Sequence, residues 1–431
     1  MIRILKRDTF KREEILPEPM EQKEIASAVR SVLEDVRARG DAAVKYYTKT
    51  FDRVELTGAL LEEPEAIAKG AAAADPAFLA ALERAADNIF RFHEKQKQNG
   101  FAIQEANGII TGQRVIPLKT VGIYVPGGTA RYPSTVLMNC IPAKIAGVEK
   151  ILITTPPDRE GNVPPQILAA ASVAGANYII KAGGAQAIAA LAYGTETIPR
   201  ADKIVGPGNA YVAEAKRQVQ GIVDTDMIAG PSEILIVADG KNNPDVTAMD
   251  LLSQAEHDKM ATAVLITDEE TFARQVAEAL ERLIPSLPRS DIARASIDNN
   301  GKIIITSSIR IAIEAANEIA PEHLELCVDN PFDYLSLVRN AGSVFLGRNC
   351  PEALGDYYAG PNHTLPTGGT ARFSSPLSVE DFVKKSAYTY YTAEALEKAC
   401  KDIVTIAEEE GLQAHGRSVS LRCGLLGNTV K

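Results

Sequence analysis

Histidine is scarce in this chain: five residues in 431, four of them in the second half. Cysteine is as scarce. The five cysteines include no C-x-x-C pair, which argues against a disulfide framework and for a reducing compartment. No Lys/Arg run is present, and a formal net charge of -10 with a pI of about 5.3 speaks against a nucleic-acid surface. No apolar run reaches the ~20 residues that span a bilayer. The longest charge-free stretch, 161–180, opens with Asn162, Pro164, Pro165 and Gln166 and carries Gly175 and Asn177. It reads as a buried helix running into a buried strand. The N-terminal Met1-Ile-Arg-Ile-Leu-Lys-Arg lacks the apolar core of a signal peptide. A cytoplasmic protein is expected. The G-x-G-x-x-G dinucleotide fingerprint is also missing.

With 45% hydrophobic and 24% charged residues, the chain has the balance of an ordinary globular protein, and its length suits two or three domains. Residues 1–20, charged and containing Leu16-Pro-Glu-Pro, read as an extended arm. From residue 21 to about 99 the apolar spacing is helical, and His93 reads as a packing residue of that region. From Ile109 the rhythm becomes strand, glycine-rich turn, helix. Val121-Gly-Ile-Tyr-Val, Lys150-Ile-Leu-Ile, Asn177-Tyr-Ile-Ile and Lys203-Ile-Val are its strands. A second series opens at Glu233-Ile-Leu-Ile-Val and runs through the helix ending before Pro321. Repeated units of this length imply parallel sheets with helices on their faces. After Gly368 the chain offers one strand (386–391), one helix (393–410) and a polar tail, too little to bury a core alone. The expected domains are the arm 1–20, a discontinuous α/β domain of 21–112 plus 230–375, a second α/β domain of 113–229, and a tail domain of 376–431.

The four late histidines sit among carboxylates and amides. Gln254 and His257, three residues apart on an expected helix of about 245–259, share a face and could reach one metal ion. That spacing alone also suits a surface helix. Asp356 and His415 are candidates for the remaining ligands, and zinc accepts such nitrogen and oxygen donors. Glu322-His323 follows Ala-Pro at a helix end. The pair could supply general-base chemistry, or His323 could complement the helix dipole. The segment 355–369 reads as a long loop in which Asp356 is the ligand and His363 is held by loop hydrogen bonds. Tyr124, Gln186 and Asn209 lie in or beside three glycine-rich turns that could line a ligand crevice at the carboxyl ends of parallel strands. Ser232 could bond a substrate or only a turn. Cys140 and Cys327 lie in apolar contexts and read as core.

Together these segments closely resemble the histidinol dehydrogenase family. The matching strings are Val121-Gly-Ile-Tyr-Val-Pro-Gly-Gly, Pro133-Ser-Thr-Val-Leu-Met, Gly183-Gly-Ala-Gln-Ala-Ile-Ala-Ala-Leu-Ala-Tyr-Gly-Thr, Gly206-Pro-Gly-Asn, Ala229-Gly-Pro-Ser-Glu, Gln254-Ala-Glu-His-Asp, Ala320-Pro-Glu-His-Leu and Asn362-His-Thr-Leu-Pro-Thr. The resemblance runs from about residue 20 to 423, nearly the whole chain. The resemblance implies two incomplete Rossmann-like units, a helical N-terminal segment, and a C-terminal tail domain exchanged in a homodimer. It implies oxidation of L-histidinol through histidinaldehyde to L-histidine, the last step of histidine biosynthesis, with two NAD and one water. One Zn2+ per subunit would be held by Gln254, His257, Asp356 and His415. His323 would be the proton acceptor and Glu322 would assist hydration. Tyr124, Gln186 and Asn209 match NAD-contacting positions. Ser232, His323 and Glu410, with the four metal ligands, match substrate-contacting positions. The competing readings are a zinc and NAD dehydrogenase acting on another small alcohol, a zinc hydrolase with Glu322 as base, and a non-catalytic metal-stabilised binding protein.

Overall fold

A computed structural model describes residues 2–9, 11, 23–127, 131–227 and 230–424. Most of the expected N-terminal arm, Leu16-Pro-Glu-Pro included, lies outside these residues. So do Gly128 and Thr129 of the first glycine-rich turn, and Ala229. The described start of the arm is not free. It forms strand β1 (Arg3–Lys6), paired in parallel with Lys302–Ile305. The chain divides into two compact units, Met1–Lys97 with Leu118–Phe382, and Gln98–Pro117 with Val383–Lys431.

The first unit holds two six-stranded sheets. One consists of β2 (Leu61–Glu62), β5 (Thr120–Tyr124), β6 (Lys150–Thr155), β7 (Tyr178–Lys181), β8 (Lys203–Val205) and β9 (Asp224–Thr225), in the order β2-β7-β6-β5-β8-β9. The other adds to β1 the strands β10 (Glu233–Ala238), β11 (Thr262–Thr267), β12 (Lys302–Ile305), β13 (His323–Cys327) and β14 (Ser343–Leu346), in the order β1-β12-β11-β10-β13-β14. Only β2 is antiparallel to its neighbour. Apart from β1 and β2, each sheet runs 3-2-1-4-5 in its own count. Glu233-Ile-Leu-Ile-Val-Ala and Thr262-Ala-Val-Leu-Ile-Thr are buried throughout, as strands covered on both faces must be. The helices start where local chemistry says they should. Pro64, Pro76, Pro133, Pro165 and Pro244 each occupy a first helical position, where the missing N–H costs nothing. The Asp75 and Asn243 side chains cap two of these helices.

The helical N-terminal segment differs from the expected grouping with 230–375. The helix Lys23–Arg39 carries an apolar stripe of Val29, Val32, Leu33 and Val36. That stripe packs with Ile188 and Val212 into the core beside β5–β8. His93 is fully buried at the end of the helix Pro76–His93 and bonds Gln96 at 2.7 Å, the packing role expected for it.

The second unit joins β3 (Phe101–Gln104), β4 (Ile110–Pro117) and β15 (Val383–Tyr390) in an antiparallel sheet. It also carries the helices Ala393–Glu409 and Gln413–Arg422. Its strand starts three residues earlier than the sequence pattern indicates, and the expected polar tail holds a further helix. Phe101, Ile103, Tyr390, Ile406 and Leu421 of this unit are all more than half exposed. Among the described residues no helix is long and apolar enough to cross a membrane. The five cysteines are free, with Cys140 and Cys327 buried as expected.

Candidate active site

Neighbouring strands β10 and β13 open with Glu233 and His323, side by side at the amino end of their sheet. The preceding helix Ile309–Ile319 ends on Ala320, which takes the left-handed conformation (φ 57°), and Pro321 prevents its continuation. The chain therefore turns at once into the sheet. This settles one alternative: His323 does not cap a helix but begins a buried strand. Its Nδ1 lies 2.9 Å from the Glu233 carbonyl oxygen, which assigns the proton to Nδ1. Nε2 is left buried with no hydrogen-bond partner. It sits 3.6 Å from Asp356 Oδ1, while Nδ1 is 3.7 Å from Glu322 Oε2.

Glu322 and Glu233 brace each other. The Glu233 N–H donates to Glu322 Oε2 at 2.8 Å, and the Glu322 N–H donates to Glu233 Oε2 at 3.4 Å. Gly368 N–H donates to the other oxygen of Glu233 at 2.7 Å. Burial pushes Glu322 up to about 8. Burial also disfavours the charged form of His323, but the carboxylates of Glu322 and Asp356 outweigh it and raise the ring to about 10. Burial acts against ionised Asp356 as well, yet His323 and His363 hold its carboxyl well below the usual range.

Asp356 lies not in a loop but on the short helix Glu352–Tyr357. Much of the chain just beyond that helix is buried, including Asn362, Thr364 and Thr367. Asn362 donates from Nδ2 to the Met138 carbonyl at 2.6 Å, pinning the segment to the helix Pro133–Ala146. His363 bonds through Nδ1 to the Asp356 carbonyl at 3.1 Å, which is the structural holding role expected for it. The helix carrying Gln254 ends at Ala255, so His257 lies in the following turn rather than on a helix face. The two residues still lie close: the His257 N–H donates to the Gln254 carbonyl at 3.1 Å. Gln254 is buried and its Oε1 has no partner. Burial lowers His257 and favours the neutral imidazole that binds metal, while Asp356 opposes this. Orphaned oxygen, neutral imidazole and ionised carboxylate form a donor set that suits zinc. Among the described residues, the ligand atoms of His323, Glu352 and Asp356 lie within 4.8 Å of one another, so this metal-capable group shares only Asp356 with the expected ligands.

At the other sheet, a cavity of about 950 Å³ opens at the carboxyl ends of the strands. Tyr124 ends β5, Gln186 follows β7 and Asn209 follows β8, and all three line it. The Tyr124 hydroxyl accepts from the Gly184 N–H at 3.0 Å, and burial pushes it up to about 12. Both polar atoms of the buried Gln186 amide lack partners. Asn209 caps the helix Ala210–Val219 through its side-chain oxygen. A dinucleotide fits the volume, and the orphaned amide awaits a polar ligand.

The sequence profile described as histidinol dehydrogenase matches residues 17–423. The chain belongs to the histidinol dehydrogenase family. A histidinol dehydrogenase from Bacillus cereus is 54% identical over 398 residues, 92% of each chain. One from Listeria monocytogenes is 53% identical over 399 residues, 93% of each. The crystal structure of histidinol dehydrogenase from Elizabethkingia anophelis superimposes with a TM-score of 0.92 at 39% identity, covering 99% of both chains.

Within this chain, the first unit gathers Glu322, His323, His257 and Asp356 into one electrostatic cluster. Tyr124, Gln186 and Asn209 gather separately around the cavity. Ser232 is half-buried before β10, and its carbonyl accepts from the Thr262 N–H at 3.0 Å. Glu410 and His415 belong to the second unit, where both are exposed. Two residues escaped the sequence reading. Glu233 looked like the start of an apolar strand. Glu352 is buried and accepts from Ser253 Oγ at 3.1 Å, and burial pushes it up to about 7. Its i, i+4 spacing to Asp356 was the available signal, once the segment is read as helix.

Proposed function

We propose that this chain oxidises L-histidinol to L-histidine through histidinaldehyde, with two NAD and one water. The observation that carries the reading is His323. It is buried, its Nδ1 is tied to a backbone carbonyl, and its free Nε2 is aimed at Asp356. When bound, zinc supplies a Lewis-acid anchor for the substrate's imidazole and amine nitrogens. Gln254, His257 and Asp356 would hold it, with His415 as fourth ligand. NAD supplies the hydride acceptor in the cavity of Tyr124, Gln186 and Asn209. The two sheets would each be an incomplete Rossmann-like unit, as their 3-2-1-4-5 order suggests.

The protein's residues move the protons. The Glu233 carbonyl fixes the imidazole so that Nε2 presents its lone pair. Nε2 takes the hydroxyl proton while the carbinol carbon loses hydride, leaving the aldehyde. Nε2 returns that proton to the aldehyde oxygen as water adds, while Glu322 in its ionised form accepts the proton the water gives up, so the hydrate forms and the imidazole is neutral again. A hydroxyl proton of the hydrate then passes to Nε2 as the second hydride leaves, giving the carboxylic acid, which loses its own proton to solvent and ends as the carboxylate. A cation held by Asp356 would offset that carboxylate's pull on the ring and favour the neutral imidazole that a base needs.

His415 and Glu410 would come from a second copy through exchanged tails. The exposed Phe101, Ile103, Tyr390, Ile406 and Leu421 of the second unit support its docking on a partner. The five free cysteines suit a cytoplasmic setting. The test is an NADH assay on zinc-loaded protein over a panel of small alcohols. Two NADH per histidinol consumed is expected. No NADH from histidinol but turnover of another alcohol, or turnover with no NAD at all, would reject the reading.

A further inference from the structure

Asp52 is a carboxylate with no evident reason to be where it is. It ends a π-turn, Thr48–Asp52, and the next residue, Arg53, takes the left-handed conformation at φ 59°. A side chain larger than glycine adopts that geometry only when its surroundings force it. Asp52 Oδ2 is buried with no hydrogen-bond partner, and burial alone pushes the acid up to about 6. Strain and an unsatisfied buried acceptor both oppose folding, so a ligand is the natural source of compensation. Asp52 lines the same cavity as Tyr124, Gln186 and Asn209, close enough to Tyr124 for its charge to act on the phenol. Its neighbour Phe51 also lines the cavity, 58% exposed, with one ring face stacked on Tyr47 at 5.5 Å. Arg131 and Arg159 on the same walls offer cations to a pyrophosphate.

We propose that Asp52 is the residue that selects NAD over NADP, its carboxylate accepting hydrogen bonds from the adenosine ribose hydroxyls. The exposed Phe51 ring gives a stacking surface to a purine, and the adjacent acceptor then meets the sugar attached to it. An ionised carboxylate takes two hydroxyl donors well and repels a 2′-phosphate. In dinucleotide sites that carry the glycine fingerprint an acid does this from a strand end; here the fingerprint is missing and the acid comes from a strained turn. The inference rests on the NAD reading of the cavity.

The experiment compares Asp52→Ala, Asp52→Asn and Gln186→Leu in the full-length, zinc-loaded protein. It measures NAD dissociation directly by fluorescence titration, and kcat and KM with NAD and with NADP. For Asp52→Ala the KM for NAD should rise at least ~10-fold, with a smaller change in kcat, and the NAD-over-NADP preference in kcat/KM should fall ~100-fold. Asp52→Asn, which keeps the shape and drops the charge, should show the same loss of preference and carries the test if the alanine variant misfolds. If Gln186→Leu loosens NAD while both Asp52 variants keep the wild-type KM and preference, the Asp52 assignment falls and the cavity reading stands. If none of the three alters NAD binding, both fall.

Discussion

Lys216 and Asp226 form an ion pair whose side chains are 2% and 1% exposed, and it grips the turn that leads to Asn209 on the wall of the Tyr124–Gln186 cavity. Lys216 Nζ donates to the Gly206 carbonyl at 3.1 Å, and the Gly206 N–H donates to Asp226 Oδ2 at 2.7 Å. Both backbone groups of Gly206 are thus held by one buried pair. Gly206 needs holding. Its φ is +109°, and it passes so near β5 that an added Cβ would lie 2.2 Å from the Tyr124 carbonyl oxygen. Asn209 follows three residues later and caps the helix that carries Lys216. Asp226→Asn keeps the volume and an acceptor for Gly206 but leaves a buried ammonium without its counter-charge. Breaking such a pair on one side costs about 3–5 kcal/mol. At ~2–4 °C per kcal/mol, the unfolding midpoint should fall by roughly 10 °C. The double variant Lys216→Met/Asp226→Leu removes both charges together and loses only the two backbone hydrogen bonds, about 1 kcal/mol each. It should therefore be more stable than Asp226→Asn, a non-additivity that urea unfolding followed by circular dichroism would read. NAD should bind more weakly to both, because the Gly206–Asn209 turn is no longer held. An Asp226→Asn protein within about 1 kcal/mol of wild type, or a double variant less stable than the single, would refute the reasoning.

Gly206→Ala should cost about 2–4 kcal/mol, from left-handed strain and the clash with Tyr124, and should weaken NAD binding in a direct titration. His323→Asn should lower turnover by ~10²–10⁴-fold while zinc content and NAD affinity persist; undiminished rates would remove it as the base. Stripping zinc with a chelator should abolish turnover and lower the unfolding midpoint, both restored by added zinc; a chelated protein of full activity would exclude the metal. Deleting residues from Val383 onward should give a monomer with reduced zinc content, checked by sedimentation and metal analysis. A fully active truncated monomer would rule out tail exchange.

Local chemistry made most of the elements legible. The run Glu233-Ile-Leu-Ile-Val-Ala can bury both faces only in a covered sheet. Pro165 and Pro244 mark helix starts because a first helical residue needs no N–H, and Gly206 announces a backbone conformation that side chains resist. These signals lie within a few residues of what they determine. The segment around Asp356 carries no local core pattern because its burial depends on distant partners: Asn362 reaches the Met138 carbonyl across 224 residues. Glu352 is likewise buried only by remote contacts, among them Ser253 across 99 residues.

The order of residues was enough to specify the class of the fold, the turns that line the cavity and, through scattered motifs, the histidinol dehydrogenase family. What those residues are chemically came from packing in three dimensions. Folding tied His323 Nδ1 to Glu233 across 90 residues and left Nε2 free. It also set Asp52 unpartnered beside Tyr124 and Gln186. Spacing along a chain records which side chains exist. Burial, orphaned polar atoms and opposed charges arise only when remote segments are packed together and water is removed from between them.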